Sequence, residues 1–326
     1  MRANRPHEPP YAGVNTFMKC PLVLDPGELT GFDVAILGAP MDEMVTNRPG
    51  ARFGPRAIRA ATDGGPKAFH MDLGIDPFEH LEVTDHGDAA VVPADPEASH
   101  LAIRTSVAGI LGAGAVPIIL GGDHSISYPN IAAVADHYGP ESIAVVHLDS
   151  HADTAAELHG VKWGHGSPFR NLVDGGHLRG DRLIQIGLRG YWPYPEEWDW
   201  MRSTGVRWHR VEEVVEAGIE RLIDAVNDEV GDARNVFLSV DIDVLDPAYA
   251  PGTGTPEPGG LTTRELLRAV RALVLQRGLA GMDVVEVSPP YDHAGLTALA
   301  AHRVILEVLS ALAMHRTGGE PRPENP

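Results

Sequence analysis

One apolar run that passes straight into charge constrains this chain more than any other stretch. Residues 143–146, Ile-Ala-Val-Val, read as a buried strand, and the chain then enters Asp149, His151 and Asp153. A spacing of two puts alternate side chains on one side of an extended backbone. Two carboxylates and an imidazole can therefore point at one spot beyond the strand's carboxyl end. In open α/β sheets that is where ligands bind.

Two further stretches have the same design. Residues 236–240 read as a strand ending in Asp241-Ile-Asp243, and residues 116–120 as one ending in Gly121-Gly-Asp-His124-Ser125. If the ends converge, four Asp and two His surround one cavity. Carboxylates crowded without cations repel and resist ionisation; two divalent metals would balance them. A lone Asp-x-Asp is usually a turn or a helix cap, but three such ends together point to a metal centre. Mixed His/Asp donors suit manganese, nickel, iron or zinc better than calcium.

The chain has 326 residues, enough for one large α/β domain or two smaller ones, and 43% are apolar. The formal charge is -19, from 26 Lys+Arg against 45 Asp+Glu. That excess argues against nucleic acid and anionic membranes as partners and is compatible with a cationic substrate. The single cysteine, Cys20, excludes an intrachain disulfide framework and a cysteine-based zinc site. The first 21 residues hold no apolar signal-peptide core, and no segment reads as a membrane span of ~20 apolar residues. A cytoplasmic enzyme is the expectation.

In chain order, residues 1–30 read as a proline-rich arm, 31–316 as one catalytic domain and 317–326 as a disordered tail. The first strand falls at 34–37, and an edge strand at 81–83 runs into a turn, Asp85-His86-Gly87-Asp88. Helices are expected over 96–111, 129–138, 211–230, 263–277 and 297–314, with Thr262 or Thr263 capping the fourth and Glu265 reaching back. Residues 154–164 form a loop on the rim of the site, leading to His165, and the Trp-rich segment 191–200 reads as a packed surface loop. Gly and Pro crowd 244–260, which must be an ordered wrap. Glu286 sits in an apolar run, where an ionised carboxylate needs a local Arg or a cationic ligand. Strands alternate with helices throughout, which implies a three-layer α/β/α fold with a central, mainly parallel sheet.

The motifs Gly121-Gly-Asp-His-Ser125, Asp149-Ser-His-Ala-Asp153, Ser239-Val-Asp-Ile-Asp243 through Thr255-Pro256, and Glu286-Val-Ser-Pro resemble the ureohydrolase (arginase/agmatinase) family. Asn15-Thr-Phe17, Arg48-Pro-Gly-Ala-Arg-Phe-Gly-Pro55 and Val285-Glu-Val-Ser-Pro-Pro-Tyr-Asp292 resemble its agmatinase branch more than arginase proper. The resemblance implies two divalent metals, usually Mn2+, with Ni2+ and Zn2+ as alternatives. It places His124, Asp149, Asp153 and Asp241 on one metal, and Asp149, His151, Asp241 and Asp243 on the other. It makes Asp243 and His165 proton carriers, Glu286 the carboxylate that receives the guanidinium, and Thr255 a neighbouring substrate contact. Ser150, where many members carry Ala, lies between ligands and need not alter the chemistry.

The function implied is hydrolysis of a guanidino compound to urea and an amine, with agmatine to putrescine as the first reading, in polyamine metabolism. A guanidino-acid hydrolase acting on 4-guanidinobutyrate or 3-guanidinopropionate is the alternative, as is another amidinohydrolase. On the rim, Glu157 would suit a cationic tail and Lys162 a carboxylate one. A zinc deacetylase of the same fold needs one metal, which the full second ligand set opposes. A non-catalytic partner subunit is opposed by the completeness of that set. The resemblance further implies a homo-oligomer, a trimer or hexamer.

Overall fold

The computed structural model describes residues 9, 11–62 and 67–319. The rest of the expected arm and the last residues of the expected tail, 320–326, lie outside the described residues. Eight strands form one sheet: β1 (Val34–Ala39), β2 (Val83–Asp88), β3 (Val116–Gly121), β4 (Ile143–Leu148), β5 (Leu183–Leu188), β6 (Arg207–Arg210), β7 (Asn235–Asp241) and β8 (Gly281–Val285). Their order is β2-β1-β3-β8-β7-β4-β5-β6, and every pairing is parallel. The interior strands are buried along their length, as an all-parallel sheet covered on both faces requires, whereas edge strand β6 is not.

The helices are α1 (Gly54–Ala60), α2 (Pro96–Gly112), α3 (Ser127–Tyr138), α4 (Pro168–Asp174), α5 (Pro195–Thr204), α6 (Val211–Ala217), α7 (Ile219–Val230), α8 (Thr263–Arg277) and α9 (Leu296–Thr317). They divide between the two faces. Ile58, Leu222, Leu266 and Val304 meet Ile36, Ile118 and Val146 in one core. Ile103, Ile131, Phe169 and Met201 meet Leu37, Ile119 and Val145 in the other. Neighbouring strand residues thus feed opposite layers, the period of two that a pleated strand imposes.

Several elements differ from the sequence expectation. The stretch 211–230 is two helices, because Gly218 takes φ 83° and breaks the ladder between α6 and α7. The expected loop 191–200 is half helix, since α5 begins at Pro195. Thr262 does cap α8, with Glu265 completing the reciprocal box. The last helix, α9, is long and apolar enough to cross a bilayer by length and composition, contrary to expectation. Most of it is buried in the fold, where it packs on α1 and α8, so its apolarity serves the core.

The expected turn 85–88 lies inside β2, and its carboxylates are structural. Arg59 of α1 grips Asp85 through Nε (2.8 Å) and Nη2 (2.9 Å) and reaches Asp88 through Nη1 (2.6 Å). Asp85 also accepts the backbone N–H of Phe17, which ties the chain preceding β1 to the edge of the sheet. Arg59 and Asp85 are both nearly inaccessible. Removing one partner strands a buried charge, which costs about 3–5 kcal/mol. Arg59→Met is therefore expected to lower unfolding free energy by about that amount in urea titrations of the purified chain, while a Lys at 59 recovers only part.

Candidate metal and guanidinium site

Four adjacent strands, β3, β8, β7 and β4, end at one level. Leu148 pairs with Val240 and Asp241 with Val285, so Asp149, Asp241 and Glu286 leave the sheet side by side. The Gly121-Gly122 pair lets β3 turn out at the same height. A Cβ on Gly122 would lie 1.9 Å from the Met41 carbonyl, so only glycine fits there. Asp123 then accepts Ser125 N–H (2.9 Å) and Met44 N–H (3.1 Å), which fixes the turn that presents His124.

The His124 ring is oriented from behind. Its Nε2 lies 3.1 Å from Ser239 Oγ, whose hydroxyl donates to Asp283 Oδ1 at 2.7 Å. Asp283 also accepts from Ser127 (2.8 Å) and Asn130 (2.9 Å), so this buried strand carboxylate is saturated with donors. With the Ser239 hydroxyl committed to Asp283, Nε2 is the donor, and the lone pair is left on Nδ1. That atom faces Asp149 Oδ2 at 3.1 Å, Asp153 Oδ2 at 2.9 Å and Asp241 Oδ2 at 3.1 Å. It is nonetheless buried without a properly formed hydrogen bond. A lone pair surrounded by carboxylate oxygens calls for a cation between them. The charge balance agrees. Burial works against a charged imidazole, yet Asp149, Asp153 and Asp241 raise His124 well above its ordinary value.

A second group abuts the first. His151 Nδ1 lies 3.5 Å from Asp149 Oδ1 and 3.2 Å from Asp243 Oδ2. Asp149, His151 and Asp243 bring three donor atoms close enough together to hold one metal ion. Asp149 serves both groups with its two oxygens. Burial would raise its carboxyl, but the neighbouring imidazoles of His147, His124 and His151 hold it well below the carboxylate range. Burial, with the charges of Asp243 and Asp149, pushes Asp241 well above its usual value. Burial and Asp149 raise Asp243. The four carboxylates and two imidazoles singled out by sequence spacing are brought together, and their donor chemistry fits divalent metal ions.

Glu286 follows β8 and takes φ 62°, and Asp153 takes φ 52°; both are left-handed backbones on non-glycine residues. Glu286 Oε1 accepts His124 N–H (2.9 Å) and lies 3.0 Å from His165 Nδ1. Among the described residues no arginine satisfies it. Its Oε2 is buried with no partner, and a Cβ on Gly254 would come within 3.1 Å of it, so glycine leaves room there. His165 is displaced from the ordinary imidazole range. Burial disfavours its charged form, but the bond to Glu286 raises it to about 9. Thr46, unnoticed in the sequence, holds its other nitrogen, with Oγ1 at 2.9 Å from Nε2.

Ser150 does more than separate two ligands. Its hydroxyl donates to Asp243 Oδ1 at 2.7 Å. Thr255 Oγ1 donates to Asp243 Oδ2 at 3.4 Å. The wrap after Asp243 is organised by Arg189, another residue given no role from sequence. Its Nη2 donates to the carbonyls of Asp243 (2.7 Å) and Glu257 (2.6 Å), and its Nη1 to Val244 (3.2 Å). This cation is spent on backbone and is not a substrate contact.

A cavity of about 440 Å³ opens over the centre, lined by Asp153, Asp241, His165 and Thr255 at its base. Glu157, Trp192, Tyr194 and Glu197 line the mouth, so the aromatic segment is part of the site. Among the described residues no Lys or Arg lines it. Lys162 lies instead with Nζ 5.1 Å from the centre of the Trp163 ring. Arg189→Lys, which keeps the charge but cannot reproduce the forked contacts, is expected to cost on the order of 2 kcal/mol. Urea unfolding of the variant checks this, and slower turnover from a loosened wrap should accompany it.

The Arginase family model matches residues 32–311. The mitochondrial agmatinase of Gallus gallus is 41% identical over 322 residues, covering 95% of this chain and 91% of that protein. The guanidinobutyrase of Pseudomonas aeruginosa is 40% identical over 307 residues, covering 93% and 94%. The solved structure of proclavaminate amidino hydrolase from Streptomyces clavuligerus superposes with a TM-score of 0.87 at 40% identity, covering 94% of this chain and 100% of that one. With the parallel eight-stranded sheet and the His/Asp centre at its carboxyl edge, these similarities establish that the chain belongs to the arginase family, as a hydrolase of amidino groups.

Proposed function

We propose that the enzyme hydrolyses agmatine to urea and putrescine. The observation that carries a guanidinium substrate is Glu286 Oε2, a buried acceptor with no partner among the described residues, beside the space left at Gly254. A guanidinium presents N–H donors to a carboxylate in a fixed plane. The cationic tail is supported by the mouth, where Glu157 and Glu197 stand with Trp192 and Tyr194 and no Lys or Arg is found among the described lining residues. Burial and the nearby Asp153 charge raise the Glu197 carboxyl, a strain that an incoming ammonium would relieve. A carboxylate tail finds no Lys or Arg among the described lining residues and faces Glu157 and Glu197, which disfavours 4-guanidinobutyrate and 3-guanidinopropionate.

We assign His124, Asp149, Asp153 and Asp241 to one metal and Asp149, His151, Asp241 and Asp243 to the other. Mn2+ is the preferred ion, by resemblance and by mixed His/Asp donors. When bound, such a pair supplies Lewis acidity and a water activated near neutral pH. The chain's own groups do the rest. Glu286 Oε2 takes the guanidinium N–H and fixes its plane, so the carbon is presented for attack. Water adds to that carbon, and the bond to the alkyl nitrogen breaks. Asp243 takes a proton from the adding water and delivers it from Oδ2 to the departing nitrogen. His165, on the cavity wall, exchanges the remaining proton with solvent. Urea and an amine leave.

The test is urea release from agmatine, 4-guanidinobutyrate, 3-guanidinopropionate and arginine, each with Mn2+ and with Ni2+. Agmatine should give the highest kcat/KM, and preference for either guanidino acid would refute the tail assignment. Glu286→Gln is expected to retain both metals and lose about 10- to 100-fold in kcat/KM. Asp241→Ala is expected to lose metal and urea release together, as measured by metal analysis after desalting.

A further inference from the structure

Behind the centre lies a chain of hydrogen bonds that the mechanism above does not use. His147 of β4 is fully buried, with Nε2 2.8 Å from Asp149 Oδ2. Gln185 of β5, also fully buried, places Nε2 3.0 Å from His147 Nδ1 and 2.6 Å from the Ala152 carbonyl. The carbonyl can only accept, so the Gln185 amide nitrogen must face it. The amide's orientation is thereby fixed, and with it the identity of the atom that meets His147. A donor facing Nδ1 leaves that nitrogen its lone pair, and the ring proton belongs on Nε2. That proton points at Asp149 Oδ2.

His147 groups with His124 and Asp149 by distance alone, which would make it a metal ligand. The hydrogen bonds say otherwise. Nε2 carries the proton donated to Asp149, and the one lone pair, on Nδ1, accepts from Gln185, so neither nitrogen is free for a metal. We propose that the Gln185–His147 pair is a positioning device that sets the orientation of Asp149. It rests on the assignment of Asp149 as the carboxylate shared by both metals. The Ala152 carbonyl precedes Asp153, so the same amide also steadies the backbone that presents a second carboxylate of the centre. The register Val146↔Ile184 and His147↔Gln185 places the two side chains side by side on parallel strands, a pairing that nothing in the local motif requires.

The experiment is calorimetric titration of the metal-free full chain with Mn2+, comparing wild type with His147→Phe, His147→Gln and Gln185→Leu. Phenylalanine fills the ring's place beside Phe169 but donates nothing. Loss of an outer-shell partner is expected to weaken metal affinity by about 10- to 100-fold, and because Asp149 serves both groups both binding steps should weaken. His147→Gln restores an N–H donor and should recover most of the affinity, and Gln185→Leu should fall between. Thermal unfolding of the metal-free variants is measured alongside. A merely structural role would lower the melting temperature and leave Mn2+ affinity unchanged in His147→Phe. That result overturns the proposal, as does a His147→Gln variant no better than His147→Phe. If the wild-type chain itself binds no pair of Mn2+ ions, the ligand assignment falls and the positioning role falls with it. Two ions bound by wild type with no change in the variants removes the positioning role alone.

Discussion

The structure depends on concentrating negative charge in a dry place. Asp149, Asp241 and Asp243 are essentially inaccessible, and Asp153 closes the group from its loop. Such a set cannot remain ionised without positive charge among it. The parallel sheet makes the concentration possible. Parallel strands end on the same side, so four neighbours can deliver polar side chains to one crevice without any of them crossing the core. The cost is offset by hydrogen-bond partners fixed from behind: Ser239 and Asp283 on His124, His147 and Gln185 on Asp149, and Ser150 on Asp243. Each holds its partner in one orientation, so the lone pairs that face the centre do so by construction.

Glu286 extends the same logic from metal to substrate. It leaves β8 in a left-handed conformation that turns its side chain toward His124 and His165 rather than into the core. One oxygen is fully occupied and the other is not. A carboxylate so placed binds a planar cation in a single pose. The cavity beyond is long on aromatic and acidic surface, which lets one end of a substrate be read by Glu286 and the other by the mouth.

Much of this was legible in the sequence, and the reasons are local. An apolar run followed by Asp-x-His-x-Asp announces both a strand and the end of a strand. The centre's four Asp and two His follow from three such ends plus the rule that parallel strands finish together. Thr262 and Glu265 announced the start of α8 through a three-residue spacing. The expectations that failed were those in which charge or glycine acts at a distance. Asp85 reads as a turn until Arg59, distant in sequence, is seen to grip it. The long helix at 211–230 fails because a single Gly218 outweighs the periodicity around it. Asp283 could have been found, since a carboxylate inside an apolar strand must be satisfied by something.

By itself the sequence determined the alternation of strands and helices, the layers they form and the identity of the donors at the strand ends. These depend on periodicity and on residues a few positions apart. Only the tertiary structure decided which nitrogen of each histidine faces inward, that His147 stands behind the centre rather than in it, that His165 is already tied to Glu286, and that the aromatic segment with Glu197 walls the mouth. Each of those depends on a hydrogen bond or a contact between strands and loops far apart in the chain. A proton's position on a ring is fixed by its partner, and the partner is supplied by the fold.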